Sequence, residues 1–147
     1  MDENEYKLIR DELKEFPCAF EKSILALKTQ CPQARKKNIA EREIVRCTSS
    51  HYATRCADWL VLLRKKSQFA LKIPEFTPIL PHSKEMKVQV GGMIGLCEML
   101  GIDTAEMGFQ PNVFAILENC SEQITNIEEL SFEKIVREVV HFKPRAK

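Results

Sequence analysis

The sequence predicts an all-α fold: a compact single-domain bundle of about six or seven helices with one proline-rich crossover. Apolar residues recur at helical spacing along most of the 147 residues. Ser, Thr or Pro stands before several of these stretches, at positions that favour the start of a helix. Three prolines lie close together in the connector near residues 73–83, between front and back helices. We therefore expect one domain spanning residues 1–147.

Four helices are expected in the front of the chain. Residues 2–16 form the first, since Tyr6, Ile9 and Leu13 recur on one face. Residues 18 to about 30 form the second, and Pro32 starts a third that runs to about residue 47. The motif TSSH at residues 48–51 supplies N-cap candidates for a fourth helix extending toward Phe69.

The back of the chain also favours helices. Residues 87–90 alternate like a strand, but the segment after Ser83 is predicted as a helix because Ser83 can cap it. Residues 112–124 follow Pro111, and residues 131–142 begin at Ser131, so both match the start signals of helices.

Charge and hydropathy narrow the class of protein. The N-terminus lacks the features of a signal peptide and no apolar run could span a membrane, so a reducing cytoplasm is expected. Residues 35–66 carry nine Lys or Arg and three Asp or Glu, whereas residues 96–133 carry eight acidic residues and no basic one. This asymmetry indicates either that the two segments face each other or water, or that the basic one forms a surface for an anionic partner. A protein partner is expected. Nucleic acid is not expected, because the basic stretch lacks outward aromatics.

Six cysteines in a reducing compartment favour metal binding, thiol chemistry or plain burial over disulfides. On helices, Cys31, Cys47 and Cys56 would all face the apolar interior, while Cys18 would point about 150° away from the apolar face. However, an unbroken helix from residue 32 to 47 would separate Cys31 from Cys47 by about 24 Å. One site using both would require a break near residues 36–38. Without that break, antiparallel packing of the helices would bring Cys18 toward Cys47 and leave Cys31 at the far end.

Two other arrangements of the cysteines remain open. Cys47, His51 and Cys56 lie within ten residues and could form a compact zinc site with two thiolates and one imidazole. Alternatively, Cys31 at the N-terminus of a helix would favour a reactive thiolate. Cys97 and Cys120 sit among apolar residues and are predicted to be buried side chains without a chemical role.

These observations predict a small cytoplasmic metal- or iron–sulfur-binding protein that acts in electron transfer, redox sensing or as an accessory to a redox complex. Its predicted ligands are Cys31, Cys47 and Cys56, with Cys18 or His51 as the fourth, and its cofactor an iron–sulfur cluster or zinc, or none. The alternative is a non-catalytic helical interaction module with buried structural cysteines. No triad, nucleotide loop or acid–base pair indicates an enzyme. Small residues at Gly92 and Gly95 leave a homodimer open.

Overall fold

The structure, a computed structural model, describes residues 16–74, 79–124, 126 and 130–144. It combines helices with a three-stranded antiparallel sheet, so the predicted all-α helical bundle is wrong. The strands are β1 (Phe16–Pro17), β2 (Ala34–Ile39) and β3 (Arg42–Cys47), with β3 in the centre. The helices are α1 (Glu21–Leu25), α2 (Ser50–Ser67), α3 (His82–Met86), α4 (Gly92–Met99), α5 (Val113–Gln123) and α6 (Phe132–His141), and a π-helical turn at Lys87–Gly91 joins α3 to α4.

The fold differs from the prediction because residues 34–47 form a β-hairpin and not a third helix. Ile39 pairs with Arg42 across a two-residue turn, in which Ala40 and Glu41 have positive φ angles of 48° and 68°. Two consecutive positive φ angles characterise the tight hairpin turn whose twist matches its strands. Such turns usually contain Asn-Gly or Asp-Gly, whereas Ala and Glu favour helices. The hairpin is therefore poorly marked in the sequence.

The other front elements agree with the prediction only in part. The helix predicted over residues 2–16 lies outside the described residues except for its last residue, Phe16. The second predicted helix is reduced to α1, because the chain turns away at Leu27, where φ is 58°. By contrast, α2 begins as predicted: the side chain of Ser49 accepts a hydrogen bond from the backbone N–H of Tyr52 at 3.3 Å.

The back of the chain is helical, as predicted. Residues 87–90 lie in the π-helical turn and form no strand. Asn112 caps α5 by accepting a hydrogen bond from the N–H of Ala115 at 3.0 Å, and α6 begins directly after Ser131. Within the described residues, no helix is long and apolar enough to cross a bilayer.

The core forms where the π-helical turn and α4 pack against α2 and α6. A Cβ atom at Gly95 would lie 2.7 Å from the Cα of Ile135, and one at Gly91 would lie 2.6 Å from the Cα of Val139. Both distances are far below van der Waals contact, so glycine allows α6 to approach closely. The same glycine-rich segment meets α2, because a Cβ at Gly92 would overlap the side chain of Leu63. Gly91, Gly92 and Gly95 therefore pack against helices of the same chain.

Replacing Gly95 by Ala is expected to lower the free energy of unfolding by about 2 kcal/mol. The added methyl group would overpack the contact with α6, and this outweighs the gain of about 1 kcal/mol in helix propensity. Urea unfolding monitored by circular dichroism measures the difference. Glu98→Ala, at an exposed position of the same helix, is the control and should not destabilise the protein. A Gly95→Ala variant as stable as the parent would contradict the close packing.

Candidate four-cysteine site

The sheet brings three cysteines to one of its ends. Cys47, the last residue of β3, pairs with Phe16 of β1 on one side and with Ala34 of β2 on the other. Cys18 directly follows β1, and Cys31 lies three residues before Ala34. Because neighbouring strands lie about 5 Å apart, this register collects three thiols that are far apart in sequence.

The fourth cysteine comes from the helix that follows β3. The chain turns at Thr48 and Ser49 into α2, whose second turn carries Cys56. A single cavity is lined by all four thiols, those of Cys18, Cys31, Cys47 and Cys56. Its volume is about 20 Å³, enough for about one water molecule. The rest of its wall is mostly apolar: Ala19, Phe20, Ile24, Ala34, Tyr52, Ala53, Val113 and Phe114, with Gln33 and Arg55 as polar members.

This arrangement corrects two of the predictions from helical geometry. Cys31 and Cys47 do not lie at opposite ends of a helix, since the hairpin places them at the same end of the sheet. Cys18 does not point away from the interior, because it precedes α1 and lines the cavity. The structure therefore brings together the predicted trio and Cys18.

A second connection holds Cys31 beside the start of α5. The N–H of Gln30 donates a hydrogen bond to the carbonyl of Pro111, and the N–H of Val113 donates one to the carbonyl of Gln30, both at 2.9 Å. The next residue of α5, Phe114, directs its backbone N–H toward the sulfur of Cys31. The loop that carries Cys31 is thus fixed from the sheet and from α5.

Burial disfavours the charged form of Cys18, Cys31 and Cys56. Desolvation raises the pKa of Cys18 to about 11 and that of Cys56 to about 12, and it also raises the pKa of Cys31. Mutual repulsion among the negative sulfurs adds to each increase. Cys31 precedes a strand and lies at no helix N-terminus, so the predicted reactive thiolate has no support.

Backbone amides act in the opposite direction and favour the charged sulfurs. The N–H of Phe20 is directed at Cys18, and those of Gln33 and Phe114 are directed at Cys31, whereas the N–H of Ala34 donates to the backbone carbonyl of Cys31 at 3.1 Å. Amide hydrogen bonds to cysteine sulfurs are among the features that tune bound iron–sulfur clusters.

His51 does not join the four thiols. It lies in the first turn of α2, exposed, with its ring 5.2 Å from that of Tyr52, and it lines a different cavity. Cys47 donates a hydrogen bond to the carbonyl of Ser49 at 3.3 Å. The compact zinc site of Cys47, His51 and Cys56 is therefore not formed.

The predicted metal-binding group also requires correction. In the part of the chain that the structure describes, no three or more His, Cys, Asp or Glu side chains are placed to hold one metal ion. The physical reason is that the four cysteines line the wall of one cavity from four separate segments, and their side chains are not placed around one point. A site prepared for a single ion such as zinc is thus absent from these residues.

Arg55 is a feature of the site that the sequence interpretation missed. It lines the cavity, and its guanidinium carbon lies 4.8 Å from the ring centre of Tyr52 and 5.8 Å from that of Phe114. Its Nη1 is hydrogen-bonded to Glu118 of α5. The only sequence signal was its position beside Cys56, which is weak.

The other two cysteines lie apart from the site. Cys97 in α4 is 0 % exposed and Cys120 in α5 is 5 % exposed, as predicted for buried side chains. Neither lines the four-thiol cavity. They therefore serve as matched controls for the four that do.

Comparisons of this chain with protein-family models, with curated proteins and with solved structures found no match.

In the metal-free protein, the free energy of unfolding is expected to fall as the pH rises above about 9. A thiol whose pKa is raised by folding contributes fully to stability below its ordinary pKa of 9.0, and loses that contribution as the pH approaches its folded-state value. Each such thiol adds a slope of at most ~1.4 kcal/mol per pH unit.

Guanidinium unfolding of the chelator-treated protein between pH 8 and 11 tests this expectation. The Cys56→Ala variant lacks one of the titrating thiols, so its stability should decline less steeply than that of the parent protein. Equal slopes in the two proteins would show that burial does not control the Cys56 thiol.

Proposed function

We propose that this protein binds an iron–sulfur cluster through Cys18, Cys31, Cys47 and Cys56. The observation that carries the proposal is that four of the six cysteines, from four separate segments, line one cavity. Four thiolates are the usual ligand set of both the two-iron and the four-iron clusters. Burial of small apolar side chains alone would not require four thiols to share one cavity wall.

A cluster fits this arrangement better than a single ion does. Zinc would need all four sulfurs about 2.3 Å from one centre, and the described residues contain no such convergent group. In a cluster the four thiolates are divided among two or four iron atoms, so the sulfurs surround a larger centre and need not meet at a point. Binding would widen the present cavity of about 20 Å³ as the four side chains rotate away from its middle.

The surroundings favour thiolates once iron is bound. Each ligand must lose its proton, and iron supplies the positive charge that offsets the desolvation and mutual repulsion raising the pKa of Cys18 and Cys56. The four protons pass to solvent. The amide N–H groups near Cys18 and Cys31 would then donate to charged sulfurs.

The ligand set limits the chemistry of such a protein. A cluster with four cysteine ligands has no free coordination position on iron for a substrate, and no other acid–base constellation was found in the sequence. The proposed role is therefore electron transfer, redox sensing or service as an accessory to a redox complex, without enzymatic activity of its own.

The proposal includes a compartment and a partner. All six cysteines are free, which fits a reducing compartment, and we propose the cytoplasm. Electron transfer or sensing needs a protein partner, and the basic hairpin residues Arg35, Lys36 and Arg42 are exposed. A homodimer through Gly92 and Gly95 is not favoured, since their faces already pack against α2 and α6.

Purification without oxygen from iron-supplemented cells tests the proposal. We expect a brown protein with visible absorption and near-equal iron and sulfide. Replacing Cys18, Cys31, Cys47 or Cys56 by Ser should each reduce bound iron several-fold, because each removes a thiolate ligand. Cys97→Ser and Cys120→Ser, at buried cysteines outside the site, should retain the full content.

The competing outcomes are distinct. A folded protein that stays colourless and metal-free would contradict the cluster and leave an interaction module with buried cysteines. A colourless protein with one bound zinc would contradict it too. Equal loss of iron in all six cysteine variants would indicate general destabilisation and not ligation.

A further inference from the structure

Arg55 lies between the four-thiol cavity and a larger second cavity. The larger cavity has a volume of about 560 Å³ and runs between α2 and α5. Arg55 lines both cavities, and it immediately precedes the ligand candidate Cys56. A positive charge in this position stabilises negative charge on a group bound in the four-thiol cavity.

The guanidinium group is held firmly in place. The rings of Tyr52 and Phe114 pack against it, and these two rings are themselves in edge contact, with centres 4.8 Å apart. Glu118 pairs with Nη1, and only 20 % of the Arg55 side chain is exposed. Aromatic contact and an ion pair together fix the group more tightly than a surface arginine.

Part of its hydrogen-bonding capacity is nevertheless unused. The Nε and Nη2 atoms of Arg55 are buried without a hydrogen-bond partner among the described residues. Leaving a buried donor unpaired costs about 1–3 kcal/mol, and more for a charged group. Arg55 therefore carries two buried donors, on a side chain that lines the four-thiol cavity, that are free to pair with an acceptor beside it.

We infer that Arg55 donates hydrogen bonds to a sulfur of the bound cluster and raises its reduction potential. This inference rests on the proposed cluster, whose four thiolates give it a net negative charge and whose sulfurs accept hydrogen bonds. Reduction adds one electron from a one-electron donor protein to the iron atoms, and no bond to the chain forms or breaks. Hydrogen bonds to the sulfurs and nearby charge both set the potential of such clusters.

Glu118 has the opposite effect in this arrangement. Its carboxylate offsets the positive charge of Arg55 and occupies Nη1, while 39 % of its side chain is exposed to solvent. Removing the Glu118 charge leaves the positive charge of Arg55 without its counter-charge, so its effect on the cluster increases. Arg55 and Glu118 thus have opposite effects on the reduction potential of the cluster.

The test measures the reduction potential of the anaerobically purified protein and its variants. Dithionite titration is followed by visible absorption and electron paramagnetic resonance. Arg55→Met removes the charge and the donors at similar length, and should lower the potential by about 59 mV, a tenfold change in the one-electron equilibrium. Arg55→Lys should lower it less, and Glu118→Gln should raise it. Arg42→Met, at an exposed hairpin position, controls for loss of any positive charge and should leave it unchanged.

The outcomes separate this inference from the proposed function. Brown protein whose potential is the same in all variants, or shifts equally in Arg42→Met, overturns the role of Arg55 and leaves the cluster. A colourless parent protein overturns both. If Arg55→Met fails to fold or to bind iron, the reduction potentials of Arg55→Lys and Glu118→Gln test the inference, because each of these substitutions keeps the buried packing nearly intact. Shifts of opposite sign in those two support the inference, and shifts of equal sign overturn it.

Discussion

The candidate site depends above all on the backbone pairing at Cys47. Through its two neighbours on the sheet, Phe16 and Ala34, this single position sets the distance between the segments that carry Cys18 and Cys31. A slip of one residue in either pairing would turn its side chains to the opposite face of the sheet, and the thiols would no longer share a cavity. Glu21 supports this register from α1, since its carboxylate accepts the N–H of Val45 at 2.8 Å. The order of the sheet is therefore a requirement of the site and not only of the fold.

The sequence reveals those parts of the structure that local rules govern. The N-cap of α2 at Ser49 and the burial of Cys97 and Cys120 follow from short-range patterns, and both were predicted correctly. The inward position of Cys47 was also predicted, although from a helix that does not exist. Cys47 is nevertheless buried, because side chains alternate between the two faces of a strand. On β3, Val45 and Cys47 share the buried face, and the residue between them is half-buried.

The remainder could not be predicted because it depends on non-local pairing and on an unmarked turn. The hairpin reverses at Ala40 and Glu41, residues that favour helices. Pairing of the two flanking strands offsets the free-energy cost of their positive φ angles. An unbroken helix over residues 32–47 would separate Cys31 from Cys47 by about 24 Å, whereas the hairpin places them at the same end of the sheet. The contact of Cys31 with α5 is even less accessible from sequence, because the bridge from Gln30 spans about eighty residues to Pro111.

The site is also joined to the helical core by a buried polar chain. Gln89, in the π-helical turn, donates to the carbonyl of Ala19 at 3.2 Å and accepts the N–H of Ser23 at 3.1 Å, and so fixes the turn beside Cys18. It also donates to the buried carboxylate of Glu85, which pairs with Arg64 of α2. Because the four cysteines come from separate segments, the proposed cluster would couple binding to folding: the core positions the cysteine loops, and a bound cluster would hold those segments together.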